Sequence, residues 1–387
     1  MYTGSGSSVL HIAKSITLRA QTPGKAILDG NNERTVIHIT RGTVKLQGLV
    51  ITRGLATNEV LVVWSSELHG GGICISGDGG LTDVSILSCT VADNAASHGG
   101  GISIVAAESV LIRDSIIERN MAFAGAGLAI MKAAGLVTVM NSRIRSNVMD
   151  SPPWLDSRVA SQGNSFTAAH KGDGGGVFVY GDESGQQSTT FEATEIYGNY
   201  ALRGGGAFLA TRSSVVFRRC SIRANDARFV LSIYYPEFQG GGLMMQDGFA
   251  HIADTNITGN EAGYGSSGGN GENQGGGIFM EGGDMLLTRT LIKDNTAVRL
   301  DFTQASGAAA LGANGANILR VNMGALETLS LQCFENDPAQ PRPLLLGSPQ
   351  KSEALMHASV SNRPSPPPRF VSPQYSEALT HAGVLLS

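Results

Sequence analysis

Apolar positions along the chain alternate two by two, and the alternation restarts at a fixed interval. Counted back from an asparagine at Asn94, Asn120, Asn147, Asn199, Asn225, Asn260 and Asn295, the third position holds Val91, Ile117, Ile144, Ile196, Ile222, Ile257 and Ile292. The eighth holds Ile86, Ile112, Val139, Phe191, Phe217, Ile252 and Leu287, and the fifth and tenth hold residues such as Cys89, Ser115, Val84 and Val110. An earlier unit has Gly54 in the asparagine place, with Ile51 and Leu46 in the matching columns. None of the four columns contains a charged residue, although charged residues make up 16% of the chain. The columns therefore face a core. Alternation by two is strand periodicity, and the break between the eighth and fifth positions marks a corner.

Two residues beyond the asparagine stands a small residue, usually alanine (Ala96, Ala122, Ala201), and then a glycine cluster opens the next unit. Examples are Gly99-Gly100-Gly101-Ile102 and Gly275-Gly276-Gly277-Ile278. From first glycine to asparagine the distances are 24, 21, 22, 25, 21, 20 and 20 residues. Each unit then holds about three short strands separated by bends. A unit of this length cannot bury its own inner face, so the pattern predicts an all-β parallel solenoid of about nine stacked rungs. The asparagines are expected to form a ladder of side-chain amides from rung to rung, each link worth about 1 kcal/mol. The glycines allow positive φ at a tight bend.

The pairing of Gly-Gly-Gly-Ile with Ile-x-x-Asn, as in Ile292-Lys293-Asp294-Asn295, resembles the short repeats of chlamydial polymorphic outer membrane proteins. Those repeats carry Gly-Gly-Ala followed by an aliphatic residue, and Phe-x-x-Asn. Isoleucine replaces their phenylalanine here. The resemblance runs from about Ile37 to Ala297. More broadly, these units and the opening Ser15–Ala20 and Ala26–Gly30 resemble the right-handed parallel β-helix, or pectin-lyase-like, superfamily. That resemblance implies right-handed winding and an extracellular or cell-surface location. A leucine-rich repeat also has an asparagine ladder, but its Leu-x-x-Leu-x-Leu run is absent.

The repeats organise residues 1–336 into one β-helix, with a less regular ninth rung read at Gly307–Leu311 and Leu326–Asn336. From Asp337 to Ser387 prolines cluster, and this stretch reads as a Pro-rich, mostly irregular tail. It contains a duplication, Ser348-Pro349-Gln350-Lys351-Ser352-Glu353-Ala354-Leu355 against Ser372-Pro373-Gln374-Tyr375-Ser376-Glu377-Ala378-Leu379. Glycine at 51 of 387 residues, with 6% aromatics, suits short strands and tight turns and disfavours a helical bundle. A net charge of -4 offers no general attraction for nucleic acid. No apolar run reaches the roughly 18 residues of a membrane helix. No signal peptide is visible, and the immediate start in strand-like sequence reads as that of an N-terminally incomplete fragment. The four cysteines, Cys74, Cys89, Cys220 and Cys333, form no Cys-x-x-Cys, so neither a zinc site nor any other metal centre is expected.

Length variation falls at one corner, between the asparagine and the next glycine cluster. The expansions are Leu55–His69, Val148–Asp173, Asp226–Gln239 and Glu261–Gln274. Both tryptophans, Trp64 and Trp154, lie in them, as do Tyr234 and Tyr235, which makes these four the candidate ligand-binding residues. Aromatic faces of this kind stack on sugar rings. The polygalacturonase-like and pectate-lyase-like catalytic motifs are absent, and no column is seen to repeat Asp or Glu. No catalytic residue is therefore assigned. Charges instead alternate in sign between rungs, as with Glu118 beside Arg145, Glu192 beside Arg218, and the series Arg219, Asp254, Arg289. These read as solvated cross-rung ion pairs. His69 and His98 fall on adjacent rungs, about 5 Å apart, and read as exposed loop residues.

The expected function is that of a non-enzymatic, adhesin-like β-helix presenting a loop-lined edge to a polysaccharide, a cell-surface glycan or a protein. The alternative is a carbohydrate-active enzyme, a polysaccharide lyase or glycoside hydrolase, acting on an acidic polysaccharide. Only the lyase alternative calls for a cofactor, a calcium ion held by Asp254.

Overall fold

The computed structural model describes residues 1–4, 6–56, 69–77, 81–105, 107–131, 135–149, 172–181, 188–210, 212–228, 239–263 and 275–297, and the strands Ile318–Arg320 and Leu344–Leu346. The chain divides into two units, Met1–Ser348 and Pro349–Ser387, and all described residues belong to the first.

That unit is a solenoid of parallel sheets. The first sheet follows the glycine clusters and stacks ten strands, among them Ile73–Ile75, Ile102–Ile104, Leu128–Met131 and Val177–Tyr180. A second ten-stranded sheet includes Thr82–Leu87, Ser109–Arg113 and Ser188–Glu192. A third, nine-stranded, includes Ile116–Glu118, Arg143–Arg145, Glu195–Tyr197 and Ser221–Arg223. The sequence pattern anticipates these three. The fourth is an addition: six strands of two residues each, from Met121–Ala122 to Thr296–Ala297, built where the pattern showed only a recurring small residue. Parallel register brings equivalent columns together, as in Ile117↔Ile144↔Ile196↔Ile222↔Ile257. These five isoleucines are fully buried in one apolar cluster that runs through the stack.

Two corners are built by the same device. At one, the asparagine side chains form a continuous ladder: Asn94 donates from Nδ2 to Asn120 Oδ1, and the same link recurs from Asn120 to Asn147, Asn147 to Asn199, Asn199 to Asn225, Asn225 to Asn260 and Asn260 to Asn295, all at 2.8–3.0 Å. Gly54 closes the series by donating its backbone N–H to Asn94 Oδ1 at 2.8 Å. At the other corner, the fifth column is a second ladder made of hydroxyls. Ser115 Oγ accepts from Cys89 N at 3.2 Å, Ser142 Oγ from Ser115 N at 3.1 Å, and Thr255 Oγ1 from Cys220 N at 3.1 Å. The residue before each ladder position takes the left-handed conformation, for example Arg119 (φ 53) before Asn120 and Asp114 (φ 51) before Ser115. Such a conformation costs a non-glycine residue about 1–2 kcal/mol, and the ladder bonds it permits offset that cost.

The three glycines of each cluster have different reasons. Gly99 has φ +62, which only glycine adopts freely. Gly100 and Gly101 are ordinary in φ but have no room, since a Cβ would meet Met121 O at 2.2 Å and Gly127 O at 2.6 Å. The last glycine also packs on the ladder, with Asn120 Nδ2 2.8 Å from the Gly101 Cβ position. The clusters are thus close-packing sites as much as bends.

Beyond Ala297, the strand Ile318–Arg320 pairs in parallel with Ile278–Met280, a further rung placed between the two stretches expected to hold it. Leu344–Leu346 pairs antiparallel with Asp284–Thr288, giving the second sheet an end strand of opposite direction. Gly307–Leu311, Leu326–Asn336, Cys333 and the duplicated segments lie outside the described residues.

Candidate functional site

The expanded segments all leave the solenoid after the fourth sheet and rejoin it just before a glycine cluster. Their rejoining residues stack in one row, His69↔His98↔Ala124↔Asp173↔Arg203↔Gln239, so the insertions share one corner. The candidate aromatics Trp64, Trp154, Tyr234 and Tyr235 lie outside the described residues. The row itself is mostly polar and largely buried. Asp173 is fully buried and receives two bonds from Arg203, Nε to Oδ1 at 2.7 Å and Nη2 to Oδ2 at 2.9 Å. The Arg203 guanidinium lies 5.1 Å over the Phe208 ring.

His69 and His98 are adjacent, with ring centroids 5.0 Å apart, but they are not exposed loop residues: their exposures are 5% and 3%. They belong to the rung edge, where neighbouring strands close over them. Burial holds His69 down at a pKa of about 4. A histidine lowered from 6.5 favours the folded state above that value, and this contribution is lost as pH falls from about 6.5 towards about 4. His69→Gln should therefore remove about 2–3 kcal/mol of acid sensitivity. Urea titrations of both proteins at pH 7.5 and pH 4 read the effect, and parallel losses in the two would refute it.

The outer face of the third sheet carries a second group. Its rows run Glu118↔Arg145↔Tyr197↔Arg223 and Ile116↔Arg143↔Glu195↔Ser221. Across this face and the adjoining end of the second sheet, where Glu192 and Arg218 lie, each of three glutamates serves two arginines. Glu118 pairs with Arg119 and with Arg145 at 2.6 Å, Glu192 with Arg219 and with Arg218 at 3.9 Å, and Glu195 with Arg223 at 3.2 Å and Arg143 at 3.9 Å. Asp93 also takes Arg119, at 2.9 Å. Tyr197 lies between two arginines: Arg223 stands 4.2 Å and Arg145 6.0 Å from its ring centroid, and Arg145 Nη1 donates to Tyr197 OH at 3.2 Å.

A third group sits on the fourth sheet. Asp226 and Glu261 occupy the same position on neighbouring rungs, so two carboxylates do share a column. Columns counted back from the asparagine pass over this pair, which lies one residue after it. Arg228 holds Asp226 by Nε–Oδ2 at 2.5 Å and reaches Glu261 at 3.9 Å. Burial pushes Asp226 up to a pKa of about 7; Arg228 opposes this and Glu261 adds to it. Its Oδ1 is buried without a hydrogen-bond partner. A carboxyl raised in the fold stabilises below its ordinary pKa and loses that contribution as pH rises through about 7. Asp226→Asn should leave stability unchanged at pH 3, where the carboxyl is protonated in both states, and raise it by about 4 kcal/mol at pH 8. Equal stability of variant and parent at pH 8 would exclude the raised pKa.

The family described as "Right handed beta helix region" matches residues 71–324, about two thirds of the chain. The chain belongs to the right-handed β-helix family. No curated protein and no solved structure matches it.

Within this β-helix the cross-rung ion pairs hold with one change: Arg289 takes Asp254 through Nε at 2.5 Å and Nη2 at 2.7 Å, while Arg219 turns to Glu192. Asp254, the residue a calcium ion would need under the lyase alternative, is thus already engaged. Among the described residues no group of three or more His, Cys, Asp or Glu side chains could hold a metal ion, and no helix is long and apolar enough to cross a membrane. Cys74, Cys89 and Cys220 are buried thiols, and burial pushes the Cys220 thiol up to about 11. These thiols are packing groups rather than nucleophiles.

Proposed function

We propose that this β-helix is a non-enzymatic, adhesin-like surface protein that binds a cell-surface glycan or protein along its flank. The carrying observation is the third-sheet face, where Arg145, Tyr197 and Arg223 stand on successive rungs in one straight row. Parallel strands lie about 4.8 Å apart, so the row offers contacts at a spacing suited to an extended ligand. The likeness of the repeats to those of chlamydial polymorphic outer membrane proteins supports a surface or extracellular location. The loop aromatics Trp64, Trp154, Tyr234 and Tyr235 would add stacking contacts at the insertion corner. A glycan array probed with the full chain tests the reading. It should return bound glycans whose signal falls when Tyr197 is replaced by alanine, and an array with no bound glycan would argue against glycan recognition.

The enzyme reading is favoured by one observation, the Asp226–Glu261 pair. A carboxylic acid that keeps its proton near neutrality can protonate a glycosidic oxygen while a carboxylate one strand spacing away, about 5 Å, acts as the nucleophile at the sugar carbon. A panel of polyuronides, with and without calcium, followed by reducing-end release and by the ultraviolet absorbance of unsaturated products, separates the two. The binding reading expects no product. Product formation abolished by Asp226→Asn would establish the enzyme.

A further inference from the structure

The second sheet presents an outer face over seven successive strands, from Thr82–Leu87 to Asp284–Thr288. Alternate residues of these strands, such as Val110, Ile112, Phe217 and Ile252, belong to the core, so the residues between them form three outward rows. The middle row runs from Ser85 to Leu286 through Leu111, Thr138, Thr190 and Val216, and holds no carboxylate, lysine or arginine. Its one titratable member is His251. Burial holds that imidazole below its ordinary pKa, Arg218 and Arg289 add to the effect and Asp254 opposes it, so the row is uncharged at pH 7.5. Charges are kept to the two outer rows. One has Asp83 and Asp284 at its ends, and the other has Arg113, Glu192 and Arg218. Apolar side chains are left in solvent here: Leu136 is 51% and Phe249 40% exposed, and Leu111, Val216 and Leu286 are only half-buried.

Each of the seven strands is already paired on both sides within the stack, so a partner can only lie on top of the face, not at an edge. Seven strands at about 4.8 Å, each about 16 Å long, give a patch of about 500 Å². A contiguous apolar patch of that size marks an interaction surface. Two such faces together bury about 1,000 Å², the lower limit for a specific interface, which suits a reversible pairing rather than a permanent one.

We propose that a second copy of this chain covers the face, sheet on sheet, with the two-fold axis parallel to the stack. The argument is self-complementarity, which a two-fold interface requires. This axis lays the uncharged middle row on its own copy and sets each outer row against the other. Every charge of the inner rungs then meets a serine: Arg113 meets Ser109, Glu192 meets Ser188 and Arg218 meets Ser214. Leu136 meets Met140 and Phe249 meets Ala253, apolar against apolar. Asp83 and Asp284 stand at the two ends of the patch. The other pairing that keeps the strands aligned has its axis along the strands and reverses the order of the rungs. It sets Glu192 against its own copy and Asp83 against Asp284, and like charges so placed repel. An apolar centre with charges confined to the rim is also the anatomy of a protein–protein contact. Aligned sheets pack about 10 Å apart with their side chains interdigitated.

Sedimentation velocity of the full chain at pH 7.5, from about 1 to about 200 μM, tests the pairing. The proposal expects a reversible monomer–dimer equilibrium within that range. T138E/T190E places two carboxylates against their own copies and should weaken the dimer at least tenfold, with the far-ultraviolet circular dichroism of the parent retained. Thr90→Glu, a half-buried threonine on the outer face of the third sheet, is the control and should change the dimer constant less than twofold. A second measurement needs no destabilising charge. In the proposed pairing Leu111 stands opposite its own copy, so Leu111→Cys should be crosslinked to a dimer by a bismaleimide that spans about 10 Å, above the level of the parent treated alike. In the reversed pairing the two copies of that residue lie four rungs apart, about 19 Å, out of reach. A parent that stays monomeric to the highest concentration would overturn the proposal, and so would a dimer that T138E/T190E leaves intact. A dimeric parent whose Leu111→Cys variant gives no added crosslink would overturn the assigned face and axis, whether or not the double variant folds.

Discussion

Asn199→Ala is expected to destabilise the β-helix by about 3–6 kcal/mol and to split its unfolding into two transitions. Asn199 sits in the middle of the ladder and is fully buried. Its Oδ1 accepts from both the backbone N–H and Nδ2 of Asn147, at 3.1 and 3.0 Å, and its Nδ2 donates to Ile144 O at 2.9 Å. Alanine leaves two donors and a carbonyl unpartnered where no solvent reaches. Each such group costs about 1–3 kcal/mol, and the losses overlap, hence the range. The splitting follows from architecture. Each rung contacts chiefly its two neighbours, so the cooperativity of a solenoid depends on its weakest interface. Urea unfolding followed by far-ultraviolet circular dichroism should show one transition in the parent and two in the variant. A variant within about 1 kcal/mol of the parent would mean that the ladder contributes no more than surface hydrogen bonds do.

Gly205→Ala should be the next most damaging change, and for a reason unrelated to backbone freedom. Gly205 is the middle glycine of its cluster and has an ordinary φ. A Cβ there would lie 2.5 Å from Asp226 O and 2.6 Å from Asp226 C, so the whole fourth-sheet strand would have to move. Backbone cannot give way as a side chain can, and we expect a loss above about 3 kcal/mol, beyond the usual range for overpacking. Gly259 is the contrast. It has φ +61 but nothing within 4 Å of its Cβ position, so Gly259→Ala should cost only the left-handed penalty of about 1–2 kcal/mol. Chemical denaturation of the two variants side by side reads the difference. The reverse ranking would show that these glycines serve conformation rather than space.

The parts of the fold legible in the sequence are those written as columns of one chemical type. A β-branched apolar residue three positions before each asparagine places the third sheet, and the asparagines place the ladder, because the amide carries its donor and its acceptor on separate atoms that can reach the rungs on either side. Three features left weaker traces. The hydroxyl ladder was hidden in a column that mixes Cys89, Ser115, Thr194 and Cys220, which reads as small core residues until the backbone N–H groups are seen to need acceptors. The left-handed corner residues are Arg119, Asp114, Ala224 and Ser146, and they share no composition because the ladder after them enforces the conformation. The fourth sheet is only two residues wide and shows no alternation of its own.

The candidate surface was legible only in part. Glu118 beside Arg145 and Glu192 beside Arg218 follow from register alone, and both pairs are present. What register could not reveal is that Glu118 and Glu192 are each shared with a second arginine, since Arg119 and Arg219 join from the corner positions. The burial of His69 and His98 was missed for a related reason. A residue next to a variable segment looks exposed in sequence, yet both are rung-edge residues bridged in parallel to their neighbours.

The central proposal is that this β-helix binds a glycan along its flank and leaves it whole. The direct measurement is to co-sediment the full chain with polygalacturonate and heparin, recover the polymers after prolonged incubation, and size them. The account predicts that one or both polymers pellet with the protein and that their length distributions are unchanged. Shortened polymer, or the absence of both polymers from the pellet, would contradict it.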